Sequence, residues 1–245
     1  MTGSVVITGG SQGVGRSIAE KLLADGAHVV VIDIAEPQWA HPALSYVAGD
    51  AGDPGVVTAA ADRAVAAAPL TGWVNNAAVF RDAFLHENPA AVLESIADNL
   101  LPAVVGSAEA VGRFLAARSA GSIVNISSHQ AQRPVAGALP YATAKAAIEG
   151  LTRATAVDYG RFRIRANAVA LGSVVTERFS GDVREQGAHH ALGRMGSGAE
   201  VADAVAWFLS EQAAFVTGAV IPVDGGRAAW GRDPEEKWPA LPEPG

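Results

Sequence analysis

Residues 4–15 read SVVITGGSQGVG, a short β-branched run that leads directly into a glycine-rich loop. The run SVVIT (4–8) is typical of a parallel strand that is covered on both faces. Gly9, Gly13 and Gly15 follow it, where a helical pattern begins. Glycines here allow a tight turn and a close approach to a pyrophosphate, and the helix start offers free N–H groups. An ordinary strand-to-helix loop is the competing interpretation.

Similar β-branched runs alternate with longer alanine-rich stretches along the chain. The runs lie at 4–8, 28–33, 44–49, 72–76, 122–127, 164–169 and 219–223. Helical patterns lie between them, at 14–25, 54–68, 89–117, 140–159 and 200–210. A repeating strand–helix order predicts an α/β fold with right-handed crossovers. We expect a doubly wound, mostly parallel sheet of about seven strands with helices on both faces.

Composition excludes several classes of function. The 245 residues are 49% apolar, carry 18 basic and 25 acidic side chains for a net charge of −7, and include no cysteine. Disulfides, thiolate catalysis and zinc–thiolate sites are therefore excluded. Only RFRIR (161–165) is basic, which predicts no nucleic-acid and no membrane partner. The N-terminus does not resemble a secretory signal, and no uncharged apolar run approaches the ~18 residues of a membrane span, so we expect a cytoplasmic protein.

The end of the chain differs in composition from the rest. No linker or repeat divides residues 1–226, which we expect to form one domain, and 227–245 is an extension rich in proline and charge. It contains Trp230 and Trp238, which are unusual in a solvated tail. Either the extension is partly ordered, or it packs on a neighbouring subunit or over the active site.

Asp33 ends the second predicted strand, 18 residues after Gly15. An acid at about this distance is expected to hydrogen-bond the ribose diol of a dinucleotide. A 2′-phosphate would instead meet a like charge. Gln12 and Ile34 are neutral where a basic residue could bind that phosphate, and Arg16 lies inside the helix. The sequence therefore predicts NAD rather than NADP.

Together these motifs resemble the short-chain dehydrogenase/reductase family over about residues 4–226, as a Rossmann-type NAD-binding catalytic domain. Asp50 matches an acid that contacts adenine, NNAA (75–78) resembles the family's Asn-Asn-Ala-Gly turn, and VDGG (223–226) resembles its C-terminal signature. LGSVVTE (171–177) resembles a Pro-Gly segment at the nicotinamide, with Leu171 in place of proline. The resemblance implies a catalytic set of Asn99, Ser128, Tyr141 and Lys145. It implies cofactor contacts by Gly9, Ser11, Gln12, Gly13, Val14, Gly15, Asp33, Asp50, Ala51, Asn76, Ala77, Tyr141, Lys145, Gly172, Val174 and Thr176.

The catalytic set has a chemical rationale. Tyr141 and Lys145 are four residues apart, so on a helix they share one face. Lowering a tyrosine pKa from near 10 to about 7 requires about 4 kcal/mol. The lysine ammonium and the positive nicotinamide of bound NAD can supply much of it. Ser128 would bind the substrate oxygen while Tyr141 takes the proton, although a serine that caps a turn is the alternative. By resemblance, Asn99 holds a water that connects Lys145 to solvent.

The substrate is predicted least well. His129, Gln130 and Arg133 follow the serine, and Arg178 lies in 177–197, the family's variable lid. These residues either form a solvated surface or recognise a hydroxylated substrate, a sugar or polyol. The leading hypothesis is NAD-dependent interconversion of a secondary alcohol and a ketone. A 3-oxoacyl-thioester reductase and a non-catalytic NAD-binding regulator are the alternatives. No catalytic metal is expected, and relatives of the family suggest a homotetramer.

Overall fold

The computed structural model describes residues 3–177 and 179–231, and these form a parallel sheet with helices on both faces. Its strands are β1 (Ser4–Thr8), β2 (His28–Asp33), β3 (Leu44–Ala48), β4 (Leu70–Asn75), β5 (Gly121–Ser128), β6 (Ile164–Leu171), β7 (Val174–Val175), β8 (Gly196–Ser197) and β9 (Val220–Val223). Seven of them pair in the order β3-β2-β1-β4-β5-β6-β9, and β7 pairs with β8 separately. Every pairing is parallel. The predicted fold class is therefore confirmed.

Helices lie between most of the successive strands of the chain. They are α1 (Gly13–Ala24), α2 (Pro54–Ala67), α3 (Pro89–Ala117), α4 (Leu139–Tyr159), α5 (Val183–Gly187) and α6 (Gly198–Leu209). The Asn88 side chain caps α3 by accepting from the N–H of Ala91 at 3.0 Å. In contrast, the Gln12 side chain does not cap α1. The first N–H groups of α1 therefore need partners from elsewhere in the fold.

Two apolar cores cover the two faces of the sheet, as the alternation along β1 illustrates. Val5 and Ile7 pack in one core with residues of α1 and α6, whereas Val6 packs in the other with residues of α2 and α3. All three valine and isoleucine side chains are fully buried. Because successive strand residues point to opposite faces, a run that is apolar at every position requires helices on both sides.

Helix α3 is the longest element, with 29 residues. Within the described part of the chain it is the one helix long and apolar enough to cross a bilayer by length and composition, with a hydropathy of 1.4. In this fold α3 packs against β4, β5 and α4. Its buried side chains include the polar Ser95, Asn99 and Ser107, which face protein partners. Packing against the sheet and α4 therefore accounts for part of the apolar character of α3, since 39% of its most apolar 18-residue window is buried.

The strand order reverses between β1 and β4, which creates a crevice at their carboxyl ends. After β3 the chain returns to the other side of β1, so β1 and β4 are neighbours in the sheet. The Thr8 hydroxyl at the end of β1 accepts from the N–H groups of Asn76 and Ala77, both at 3.0 Å. Ligands of doubly wound sheets bind at such a switch point.

Candidate active site

A cleft of about 1060 Å³ lies at the carboxyl ends of the strands. It is lined by most of the predicted cofactor residues: Gly9, Gln12, Gly13, Val14, Gly15, Asp33, Asp50, Ala51, Asn76, Ala77, Tyr141, Lys145, Gly172, Val174 and Thr176. Ser128 lines it as well. Ser11 does not, because its N–H donates to Asp33 and its hydroxyl donates to the carbonyl of Ala35 at 2.6 Å. Ser11 thus lies behind the cleft surface and holds Asp33, which lines the cleft.

The glycine loop is packed too tightly for side chains. Gly9 has a φ of 67°, in the left-handed region that favours glycine. A Cβ on Gly15 would collide with the Gly9 carbonyl. The Asn76 side chain crosses over the turn and donates to the carbonyls of Gly9 at 2.8 Å and Thr8 at 3.1 Å. The loop is therefore held in one conformation, with its backbone open to the cleft.

The N-terminus of α1 binds an anionic oxygen within this chain. Glu177 Oε1 accepts from the Gly13 N–H at 2.7 Å. Helix N-termini favour negative charge because their free N–H groups and the helix dipole both point at it. A pyrophosphate carries oxygens of the same kind, so the residues present fit a dinucleotide cofactor at this end of the cleft.

Asp33 lies at the end of β2 with its carboxylate fixed by the backbone. Oδ2 accepts from the Ser11 N–H at 3.0 Å, and Oδ1 accepts from the Ala35 N–H at 3.2 Å. Arg16, the basic side chain that follows the glycine loop, pairs with Glu20 at 2.8 Å and lies over the ring of Trp39. Arg16 therefore already has partners within the chain.

The predicted catalytic residues converge on the middle of the cleft. Tyr141 and Lys145 project from the first turns of α4, and Lys145 Nζ lies 5.4 Å from the centroid of the Tyr141 ring. Nζ donates to the Ile126 carbonyl at 2.7 Å, and Lys145 is only 1% exposed. Burial lowers the pKa of Lys145 to about 8. The ammonium is thus held at the tyrosine at an electrostatic cost.

The pKa of Tyr141 differs from what catalysis requires. Burial raises it to about 12, and a hydrogen bond with Ser128 lowers it by less than burial raises it. The protein groups alone therefore do not bring this pKa towards 7. The sequence predicts that Lys145 helps to lower it together with bound NAD. Moving it from about 12 to about 7 requires about 7 kcal/mol of further preference for the phenolate. A positive charge that binds with the cofactor would add to that of Lys145 in favouring the phenolate.

Ser128 and Asn99 also have structural partners. The Ser128 hydroxyl accepts from the Gln130 N–H at 3.2 Å, so it caps the 3-10 turn His129–Ala131 as well as contacting Tyr141. Asn99 does not line the cleft. Its Oδ1 accepts from the Val79 N–H at 3.0 Å, and its Nδ2 donates to the Ser95 carbonyl at 2.9 Å. The Asn99 side chain therefore fixes the loop after β4.

The far end of the cleft combines polar and aromatic groups. His129 and Gln130 line it as expected, whereas Arg133 is exposed and does not, and Arg178 lies outside the described residues, as does Trp238. Sequence reasoning missed Phe80, Arg81, Phe179 and Met195, which also line the cleft. Phe80 packs on Tyr141 with ring centroids 4.9 Å apart. No local pattern marks these residues, since they come from three separate segments.

Two polar side chains of the cleft, His129 and Gln130, are uncharged at neutral pH. Burial, together with the positive charge of Arg227, lowers the pKa of His129 to about 4. Gln130 Oε1 is buried without a hydrogen-bond partner among the described residues. A buried acceptor without a partner is costly unless a ligand or water satisfies it. His129 and Gln130 are therefore suited to neutral hydroxyl or carbonyl groups.

Comparisons with known proteins agree with this geometry. Residues 9–228 match a family model described as enoyl-(acyl carrier protein) reductase. The chain is 36% identical to 2-(S)-hydroxypropyl-CoM dehydrogenase 3 of Xanthobacter autotrophicus, over 92% of this chain and 96% of that one. It is equally identical to cis-4-hydroxycyclohexanecarboxylate dehydrogenase of Sinomonas cyclohexanicum, over 91% and 96%. The ligand-free structure of Thermoplasma acidophilum aldohexose dehydrogenase is similar with a TM-score of 0.87 and 30% identity, over 97% and 98% of the two chains.

Proposed function

Since the chain belongs to the short-chain dehydrogenase/reductase family of oxidoreductases, we propose that it uses NAD to interconvert a secondary alcohol and a ketone. One observation carries the proposal. Ser128, Tyr141 and Lys145 line the same continuous cleft as the glycine loop of α1. A hydride donor or acceptor held by that loop would therefore meet a proton-transfer group in one cavity.

Each residue of the set has a role in the proposal. Bound NAD supplies the hydride acceptor. The Tyr141 hydroxyl accepts the alcohol proton, and the Ser128 hydroxyl holds the substrate oxygen as it becomes a carbonyl. Lys145 keeps a positive charge 5.4 Å from the tyrosine ring and favours the phenolate. Asn99 would hold a water that connects Lys145 to solvent. Its side chain also holds the loop after β4 by accepting from the Val79 N–H.

The choice of NAD over NADP rests on the surroundings of Asp33. Two backbone N–H groups hold the carboxylate at the end of β2, where a ribose diol would be bound. The next residue, Ile34, is 83% exposed and carries no charge for a 2′-phosphate. Asp50, which accepts from the Gly52 N–H at 2.8 Å and lines the cleft, is the proposed adenine contact.

For the substrate we propose a small hydroxylated molecule, a sugar, polyol or hydroxylated ring. Phe80, Phe179 and Met195 offer an apolar wall, whereas His129 and Gln130 offer uncharged polar groups. Two of the three similar proteins named above act, by their names, on a cyclohexane hydroxy acid and on aldohexoses, and the third acts on hydroxypropyl-CoM. The first two kinds of molecule combine a ring with several oxygens, which suits a cavity of mixed character.

Two other functions remain as alternatives. A 3-oxoacyl-thioester reductase would use the same catalytic set, but the acid at position 33 disfavours the NADPH that such enzymes typically use. A non-catalytic NAD-binding regulator could use Lys145 as a cofactor contact, but it would need no proton-transfer group such as Tyr141 beside it. The presence of Ser128, Tyr141 and Lys145 together in one cleft therefore supports catalysis.

We also propose a homotetramer in the cytoplasm. Apolar side chains on α3 and α4 are exposed in the single chain outside the cleft, among them Leu93 (68%), Val104 (40%) and Val157 (82%). Assembly through these helices would remove that area from water. We further propose that residues 227–245 form a separate extension. At its start, the Ala228 N–H donates to the Asp224 carboxylate and closes a turn.

The proposed function is tested by turnover with a panel of sugars, cyclic alcohols, aliphatic secondary alcohols and 3-hydroxyacyl thioesters, each with NAD and with NADP. We expect NAD-dependent oxidation of a ring or polyol substrate, and loss of at least about 100-fold in kcat for Ser128→Ala. Ser127→Ala is the matched control, because the Ser127 hydroxyl does not line the cleft and donates to Glu149 at 3.1 Å. A preference for thioesters with NADP would support the reductase instead.

A further inference from the structure

His190 is a buried histidine with both ring nitrogens engaged. It follows α5 in the lid and is 2% exposed, whereas its neighbour His189 is exposed. Nε2 lies 3.0 Å from the backbone nitrogen of Ser173, and Nδ1 lies 3.0 Å from the carbonyl oxygen of Gln186. A backbone N–H can only donate, so Nε2 accepts and the ring proton resides on Nδ1. The geometry therefore requires neutral imidazole in a single tautomer.

The segment that His190 holds is the one proposed to contact the nicotinamide. Ser173 lies between Gly172 and Val174, all three of which line the cleft. The imidazole also packs against Gly172, where a Cβ would lie 2.9 Å from Nε2. The family's rigid proline is absent here, since position 171 is leucine. His190, which lies in the lid, thus constrains a backbone segment that lacks the family's usual proline.

We propose that His190 is a positioning residue, which fixes the 171–176 backbone for the nicotinamide end of the cofactor and couples that backbone to the lid helix α5. The inference rests on the proposed function, because it assumes that a nicotinamide binds beside Gly172. Arg227 supports the same segment by donating to the Ser173 hydroxyl at 2.9 Å. His190 differs from Arg227 in holding the backbone rather than a side chain.

The hydrogen bond between His190 and the Ser173 N–H should depend on pH. If His190 were protonated, Nε2 would carry a hydrogen and could no longer accept from the Ser173 N–H. The 171–176 segment would then lose this hydrogen bond. Burial lowers the pKa of His190, as does the charge of Arg227, whereas the bond to the Gln186 carbonyl and the charge of Asp224 raise it. His129 also faces this group from the turn after β5. Neutral imidazole therefore prevails at neutral pH, and acid should weaken this hydrogen bond.

Binding calorimetry with NADH and with ADP-ribose, which lacks the nicotinamide, separates positioning from general structural support. We expect His190→Leu to weaken NADH binding about 10-fold while ADP-ribose binding changes less than about 2-fold. His190→Gln retains an acceptor and should recover most of the NADH affinity. His189→Leu, the matched control, should bind both ligands like the unaltered protein.

Equal weakening of both ligands, or unchanged NADH binding in His190→Leu, would overturn the inference. If His190→Leu does not fold, the unaltered protein gives the same test through pH. The ratio of NADH to ADP-ribose dissociation constants should rise as pH falls through the pKa of His190, and a constant ratio would refute the role. An unaltered protein that bound neither ligand would contradict the proposed function itself and remove the premise.

Discussion

Lys145→Met should change how the stability of the protein depends on pH. Burial lowers the pKa of Lys145 from 10.5 to about 8, so the ammonium is disfavoured in the folded state. Between these values the unfolded chain binds a proton that the folded chain has lost, and stability therefore rises with pH. The difference of about 2.5 pKa units corresponds to about 3 kcal/mol. Relative to Lys145→Met, the unaltered protein should gain this amount as pH rises from about 8 to about 10.5.

Urea unfolding at a series of pH values, followed by circular dichroism, measures this difference. Any constant change, such as the lost bond from Nζ to the Ile126 carbonyl, shifts the curves without altering their relative slope. Lys21→Met is the control, since hydrogen bonding to Asp25 raises the pKa of Lys21 above 10.5, and loss of that lysine should leave the stability difference flat between about pH 8 and about pH 10. Parallel stability curves for the unaltered protein and Lys145→Met would refute the conclusion that a buried charge is held at a cost.

Three further changes test the cofactor end of the cleft. Glu177→Ala should tighten NADH binding about 2- to 5-fold, because the carboxylate no longer competes for the Gly13 N–H, as fluorescence titration would measure. Asp33→Ala should lower kcat/KM with NAD roughly 10- to 100-fold while activity with NADP is kept or improved. Gly15→Ala should abolish NADH binding in calorimetry, since its Cβ meets the Gly9 carbonyl.

Each of these changes has a result that would count against it. Weaker NADH binding in Glu177→Ala would mean that the carboxylate supports the bound cofactor rather than competing with it. An unchanged ratio of activities with NAD and NADP in Asp33→Ala would remove the basis of the cofactor preference. Gly112→Ala is the control for Gly15→Ala, because no atom lies within 4 Å of its added Cβ. NADH binding by Gly15→Ala equal to that of the control would show that the loop tolerates side chains.

The parts of the fold that could be predicted from sequence are those with strong local patterns. The strands at Ser4–Thr8 and His28–Asp33 and the helix Pro89–Ala117 begin and end where expected. The short helix Val183–Gly187 was not predicted, since five residues are too few to show a helical period. Its limits depend instead on the Asp182 side chain, which caps it through the N–H of Arg184 at 2.8 Å.

The site could be predicted only where a motif links residues that are close in sequence. Tyr141 and Lys145 are one helical turn apart, so their meeting follows from periodicity. Phe80 meets Tyr141 only because the loop after β4 folds beside α4, which no local pattern encodes. The pKa of Tyr141 likewise depends on how completely the fold buries it. Helical periodicity places Lys145 near Tyr141, but burial decides that the pKa of Tyr141 is raised.

NADH formation by Tyr141→Phe is the most direct test of the proposed chemistry. Tyr159→Phe is the matched control, because Tyr159 is the last residue of the same helix α4 and does not line the cleft. With a substrate found in the panel, Tyr141→Phe should bind NAD normally in calorimetry yet lose at least about 100-fold in kcat, while Tyr159→Phe remains active. Turnover by Tyr141→Phe within a few-fold of the unaltered protein would contradict the proposal that Tyr141 transfers the proton.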